Sequence, residues 1–210
     1  MKYNIAAILM ILVVNASIAQ TKLGIKLTSS IISQRISSPD DFIEVEHGAN
    51  AFIPSPALFA DLPLSRNYFF STGIGYISKR VNLKVHSPFE ISSQSKNYNI
   101  QYLQIPATLK LYTNEVALDK KLYFQFGPVF DIAVHDKEKD KNISVIDEFN
   151  PLDITLQFGT GLELQLAPNT AVQLGISYGR GLINIVRSNS INEDLSVKND
   201  LYGIEIAVKF

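Results

Sequence analysis

The stretch that decides the fold is Leu152-Asp153-Ile154-Thr155-Leu156-Gln157-Phe158-Gly159-Thr160-Gly161-Leu162-Glu163-Leu164-Gln165-Leu166. Leu152, Ile154, Leu156, Phe158, Leu162, Leu164 and Leu166 fall on one face of an extended chain, with Thr160 the one interruption. Asp153, Thr155, Gln157, Gly159, Gly161, Glu163 and Gln165 fall on the other. Side chains of a strand alternate between its faces, so this is a two-faced strand, apolar on one side and small or polar on the other. Its length exceeds the ~5–6 residues usual in soluble sheets and reaches the ~9–11 residues that a tilted strand needs to cross a bilayer.

The same pattern recurs outward in both directions. Eight segments carry it: 21–31, 55–65, 68–83, 98–113, 121–136, 150–167, 170–187 and 198–210. In the fifth, Leu122, Phe124, Phe126, Phe130, Ile132 and Val134 oppose Tyr123, Gln125, Gly127, Asp131 and His135. In the fourth, Leu103, Ile105, Leu109 and Leu111 oppose Tyr102, Gln104, Thr108 and Lys110. In the last, Tyr202, Ile204, Ile206, Val208 and Phe210 oppose Gly203, Glu205 and Lys209. The apolar face lacks charge through the middle of each segment and is rich in Phe and Tyr, as a lipid-facing surface requires. A small, polar opposite face would make a poor sandwich core.

Connection lengths give an independent signal. The links after segments two, four and six are 66–67, 114–120 and 168–169. Those after one, three, five and seven are 32–54, 84–97, 137–149 and 188–197. Short and long links alternate, as in outer-membrane barrels with short periplasmic turns, long outer loops and periplasmic termini. In lipid every backbone N–H and C=O must be paired, so the sheet has to close on itself. The expected fold is therefore all-β, an eight-stranded antiparallel transmembrane up-and-down β-barrel.

The remaining composition agrees. Of 210 residues, 46% are apolar and 19% charged, with a formal net charge of −1 and no cysteine. The absence of cysteine excludes a disulfide framework, a thiolate metal site and a lipidated N-terminal Cys. The balanced charge and lack of basic runs exclude nucleic acid as a natural partner. Residues 1–19 read as a Sec signal peptide: Lys2 forms the positive start, Ile5 to Val14 the apolar stretch, and Ser17-Ile18-Ala19 the processing site before Gln20. The apolar stretch is too short to span a bilayer as a helix. Cleavage leaves 20–210 as one barrel domain with 18 basic residues (19 minus Lys2) against 20 acidic ones. The terminal Phe210, preceded by alternating apolar residues, has the form of a signal for barrel-assembly machinery.

Tyr102-Leu103-Gln104-Ile105-Pro106-Ala107-Thr108-Leu109-Lys110 resembles the Tyr-Leu-x-Ile-Pro-x-x-Leu-Lys stretch of the PorT-like outer-membrane barrels of Bacteroidetes. Gly24 near the start of the mature chain, Phe126-Gly127-Pro128 and Phe158-Gly159-Thr160-Gly161-Leu162-Glu163 resemble that family as well. The resemblance covers essentially the whole mature chain. It implies an integral outer-membrane location and brings no catalytic residues. One branch of the family is similar to an accessory component of a protein secretion system.

Several constellations bear on chemistry. The inward charges Lys26, Lys110, Asp131, Glu163, Glu205 and Lys209 are expected to pair in a lumen that side chains fill, with Lys110 and Asp131 as a neighbouring-strand pair. Gly73, Gly75, Gly127, Gly159, Gly161, Gly175 and Gly179 fall largely on the inward face, where small residues let strands curl tightly. His47, His86 and His135 fall in or beside the long loops without a His-x-His or His-Glu-x-x-His spacing, and no Gly-x-Ser-x-Gly turn occurs. The first long loop gathers Asp40, Asp41, Glu44, Glu46 and His47, which reads as a solvated acidic loop more readily than as a Ca²⁺ or lipid-phosphate bridging site. Residues 136–141, Asp136-Lys137-Glu138-Lys139-Asp140-Lys141, alternate in sign and read as a soluble tip.

No catalytic, cofactor-binding or metal residue and no cofactor is expected. The expected function is a non-enzymatic interaction or assembly role, related to secretion or the envelope. A small passive channel or solute-binding barrel is the alternative, and a lipid-modifying enzyme the second. The expected partners are outer-membrane lipid and lipopolysaccharide, barrel-assembly machinery during insertion, and other envelope proteins.

Overall fold

A computed structural model describes residues 21–37, 43–44, 52–85, 94–138, 146–189 and 196–210. The leader at 1–19, His47, His86 and the acidic residues Asp40, Asp41 and Glu46 lie outside the described residues. Every described element is a strand: β1 (Lys22–Ser37), β2 (Ile43–Glu44), β3 (Ile53–Ser65), β4 (Tyr68–Val85), β5 (Gln94–Tyr112), β6 (Lys120–Glu138), β7 (Ile146–Phe149), β8 (Leu152–Ala167), β9 (Thr170–Gly181), β10 (Val186–Asn189) and β11 (Ser196–Lys209).

Eight of these strands, 12 to 19 residues long, form one antiparallel sheet in the order β4-β3-β1-β11-β9-β8-β6-β5, and pairing of β4 with β5 closes it. The expected eight-stranded barrel is what the chain forms, with the first and last strands paired from Gly24–Lys209 to Ser37–Ser196. Closure has a defined stagger. Cross-strand partners lead from Pro63 through Phe69, Lys110, Gln125, Gly159, Ser177, Gly203 and Ser30 back to β3 at Ile53. The return lies ten residues along the same strand (63 minus 53). A stagger of that size over eight strands tilts them by about 40–45° and leaves an interior that side chains fill.

The alternation read from sequence holds around the wall. Ile25, Leu27, Leu58, Ile74, Phe124, Phe158, Leu174, Ile176, Ile204 and Ile206 are all exposed on the outside. Thr108, Lys110, Gln125, Asp131, Asp153, Glu163 and Glu205 are buried on the inside. Ends joined by short turns, 66–67 and 168–169, share one rim with the start of β1 and the end of β11, where Leu23 and Phe210 exchange backbone hydrogen bonds. This is the turn end; the opposite rim is the loop end.

Two boundaries differ most from expectation. β1 continues to Ser37, because β11 extends to Ser196 and supplies ladder partners that far. The seventh segment, expected over 170–187, ends at Gly181. The Asn184 side-chain oxygen accepts the amides of Val186 and Val197, diverting the chain. β10 then pairs with β7 in a separate two-stranded sheet. Ile185 and Val186 are thereby buried with Ile53, Ile77, Ile100, Tyr102 and Val197, with Ile32, Ala133, Phe149 and Leu201 packed against them. An apolar plug thus fills the loop end of the lumen.

Candidate functional site: a plugged, ion-paired lumen

All six charges expected to face inward do so, but they segregate into layers. At the loop end, Lys79 is wholly buried and its Nζ donates to Asp131 Oδ2 (2.7 Å) and Asp153 Oδ2 (2.8 Å). Asp131 and Asp153 are direct cross-strand partners, so one ammonium bridges two carboxylates that would otherwise repel. Gln104 donates to the other oxygen of Asp131 at 2.8 Å, and Lys79 lies 5.0 Å from the Tyr102 ring centroid, within cation–π range.

At the turn end a second cluster forms. Lys110 donates to both oxygens of Asp61, at 3.0 and 3.1 Å, and sits 4.8 Å from the Phe59 ring centroid. Lys209 donates to Glu163 (2.5 Å) and to the Tyr112 hydroxyl (3.1 Å). Gln173 donates to the same Glu163 oxygen (2.7 Å) and to the Tyr112 hydroxyl (2.8 Å). Phe69 meets Tyr112 edge-on at 5.4 Å, and the Tyr123 ring lies tilted 6.0 Å from that of Tyr112. Beyond this layer the barrel opens into a vestibule of about 750 Å³ whose lining includes Lys22, Arg66, Lys121 and Lys209.

Between the layers, Lys26 faces Glu205 at 3.6 Å, Gln157 donates to Glu205 at 3.1 Å, and Gln125 donates to Thr108 at 2.6 Å. Lys26, Gln125 and Gln157 border a central cavity of about 80 Å³, also lined by Ser30, Ser55, Ser71, Thr155 and Ser177. The hydroxyls of Ser55 and Thr155 are buried without a hydrogen-bond partner among the described residues. The volume and these polar groups suit a few ordered waters, not a passing solute.

The expected Lys110–Asp131 pair does not form. Lys110 lies opposite Gln125 on β6, whereas Asp131 lies opposite Gln104. Those β5 positions are six residues apart (110 minus 104), roughly 20 Å along a strand. Both residues face inward in different layers, and each has its own partner. The partners Asp61 and Lys79 are not among the residues that the sequence singles out. Their signal is parity: Asp61 shares a face with Phe59, and Lys79 with Gly73 and Gly75.

Other expected positions resolve in part. Among the described residues no group of three or more His, Asp or Glu is placed to hold a metal ion. His135 lies in β6 and Glu44 in β2, but the placement of their side chains lies outside the described residues, as do the tips at 139–145.

The sequence model of the outer membrane protein beta-barrel domain family matches residues 18–187. No curated protein matches the chain in sequence. Among solved structures, the outer membrane protein OprG from Pseudomonas aeruginosa superposes with a TM-score of 0.56 at 12% identity, over 90% of this chain and 95% of that one. Neisserial surface protein A, from Neisseria, superposes with a TM-score of 0.50 at 13% identity, over 90% of this chain and 97% of that one. At such identities the likeness is one of fold.

Proposed function

This chain belongs to the outer membrane protein beta-barrel domain family, and from that premise we propose that it is a non-enzymatic, non-conducting barrel that acts through its surfaces as an interaction or assembly component of the cell envelope. In this reading the leader at 1–19 exports it, barrel-assembly machinery inserts it, and its resemblance to the PorT-like barrels, one branch of which is similar to an accessory component of a protein secretion system, supports a setting in secretion or the envelope.

The observation that carries the proposal is the lumen. Two layers of buried ion pairs and an apolar plug bracket a cavity of about 80 Å³. An ion entering it would have to displace paired charges that are already desolvated, which is costly. A barrel that passes nothing is left with its loops, rims and outer wall as working surfaces. The inward charges satisfy one another instead of pointing at a substrate.

The test has two parts. Purified protein in planar bilayers should show no steady unitary conductance. An affinity tag inserted within 139–145 should recover stoichiometric envelope proteins from outer membranes dissolved in mild detergent. Steady conductance of the unmodified protein would overturn the proposal in favour of a channel.

A further inference from the structure

The outer wall between β6 and β1 is indented. Cross-strand partners form a row Phe126–Phe158–Tyr178–Tyr202–Ile31, and one step towards the turn end a second row Phe124–Thr160–Ile176–Ile204–Ser29. Gly159 and Gly203 lie between the rows, and Thr160 and Ser29 are short where the next row carries Leu162, Leu174, Ile206 and Leu27. A groove of about 800 Å³ results, bordered by the rings of Phe124, Phe126, Phe158, Tyr178 and Tyr202, with Phe52 also on its wall.

The wall just towards the loop end is cationic. There the row runs Pro128–Leu156–Arg180–Asp200–Ser33, and the row beyond pairs Lys198 with Arg35. Asp200 is already engaged by Arg35 at 2.8 Å and by the Gly181 amide. Arg180 and Lys198 form no ion pair among the described residues. Yet the direct partner of Arg180 on β8 is Leu156, and outward neighbours on β6 and β8 are Phe130 and Ile154. Two uncompensated cations therefore border apolar, lipid-facing wall, where positive charge is unfavourable unless an anion reaches it.

We propose that this corner of the wall seats one anionic phospholipid. Its phosphate lies against Arg180 and Lys198, and one acyl chain lies in the groove beneath Tyr178 and Tyr202. Groove and charge together select this occupant. A second copy docked face to face by the same wall would bring like charges together.

The test uses the whole mature barrel in neutral detergent, titrated with dimyristoyl phosphatidylglycerol or dimyristoyl phosphatidylcholine and read by native mass spectrometry. One phosphatidylglycerol per barrel should be retained, about tenfold or more tighter than phosphatidylcholine, as two membrane-surface cations imply. The double variant Arg180→Gln, Lys198→Gln should erase that preference, while Lys121→Gln at the turn end keeps it. Thr160→Leu, which fills the groove, should weaken both lipids, and millimolar inorganic phosphate should not displace the lipid. Equal affinity for the two lipids would overturn the proposal. So would a preference that survives the double variant, full displacement by inorganic phosphate, or a stoichiometric protein cross-linked at position 180 in membranes. Should the double variant fail to fold, Lys198→Gln alone should still cost the preference about fivefold, and no change there overturns the proposal.

Discussion

Lys79 shows how a single residue commits the lumen. It reaches from β4 past β5 to carboxylates on β6 and β8, so three strands are tied through one ammonium. Removing one partner of a buried pair leaves an uncompensated charge, and the cost of that is typically about 3–5 kcal/mol. Lys79→Met should destabilise the barrel by that amount in urea unfolding followed on semi-native gels. Adding Asp131→Asn and Asp153→Asn should restore most of the loss, since no charge is then left alone. If the single and triple variants unfold alike, Lys79 is not the bridge described. On the outer wall, Leu174 sits in the all-apolar row between Leu162 and Ile206. Leu174→Arg should cost about 2–4 kcal/mol, the range for a cation at the bilayer midplane. Gln173→Leu, one residue away but inward, should act instead through Glu163 and Tyr112, which lose a shared donor.

At the scale of the element, Gly127 sets the path of β6. Its φ is 148°, and a Cβ there would lie 2.6 Å from the Ala107 carbonyl oxygen and 2.8 Å from the Thr108 Cα on the paired strand. Gly127→Val should therefore strain the β5–β6 pairing by about 1–3 kcal/mol, visible as a lower urea midpoint. The diversion after β9 has its own test. Asn184→Ala removes the acceptor of two amides, so amide exchange at Val186 and Val197 should accelerate while exchange in β8 stays slow.

These two elements also mark what the sequence made legible. Strand existence, face and the short–long connection rhythm were readable because lipid imposes a period of two and forbids charge on one side. The stop of β9 at Gly181 was not, because Leu182, Ile183 and Ile185 continue the apolar run, and the diversion depends on hydrogen bonds from β11 and β10. Inward parity was readable for Lys110 and Asp131; their partners were not, because pairing follows a ten-residue stagger that no single strand encodes. Parity likewise could not reveal that Arg180 borders apolar wall, since its neighbour Leu156 is fixed only by the β8–β9 register.

For the whole molecule, closure and plugging are one design. Eight strands at this stagger enclose an interior that side chains fill, and the chain fills it with paired charges instead of leaving a water column. In the proposed function, stability and non-conductance share a cause: the ion pairs that tie the wall together also obstruct the bore. The most direct test of a closed, membrane-inserted barrel is its migration on SDS gels with and without boiling, in protein taken from the outer-membrane fraction. The account predicts a compact, faster band before boiling and a full-length band after it, with the protein absent from the soluble periplasm. Soluble protein whose mobility does not change on boiling would contradict it.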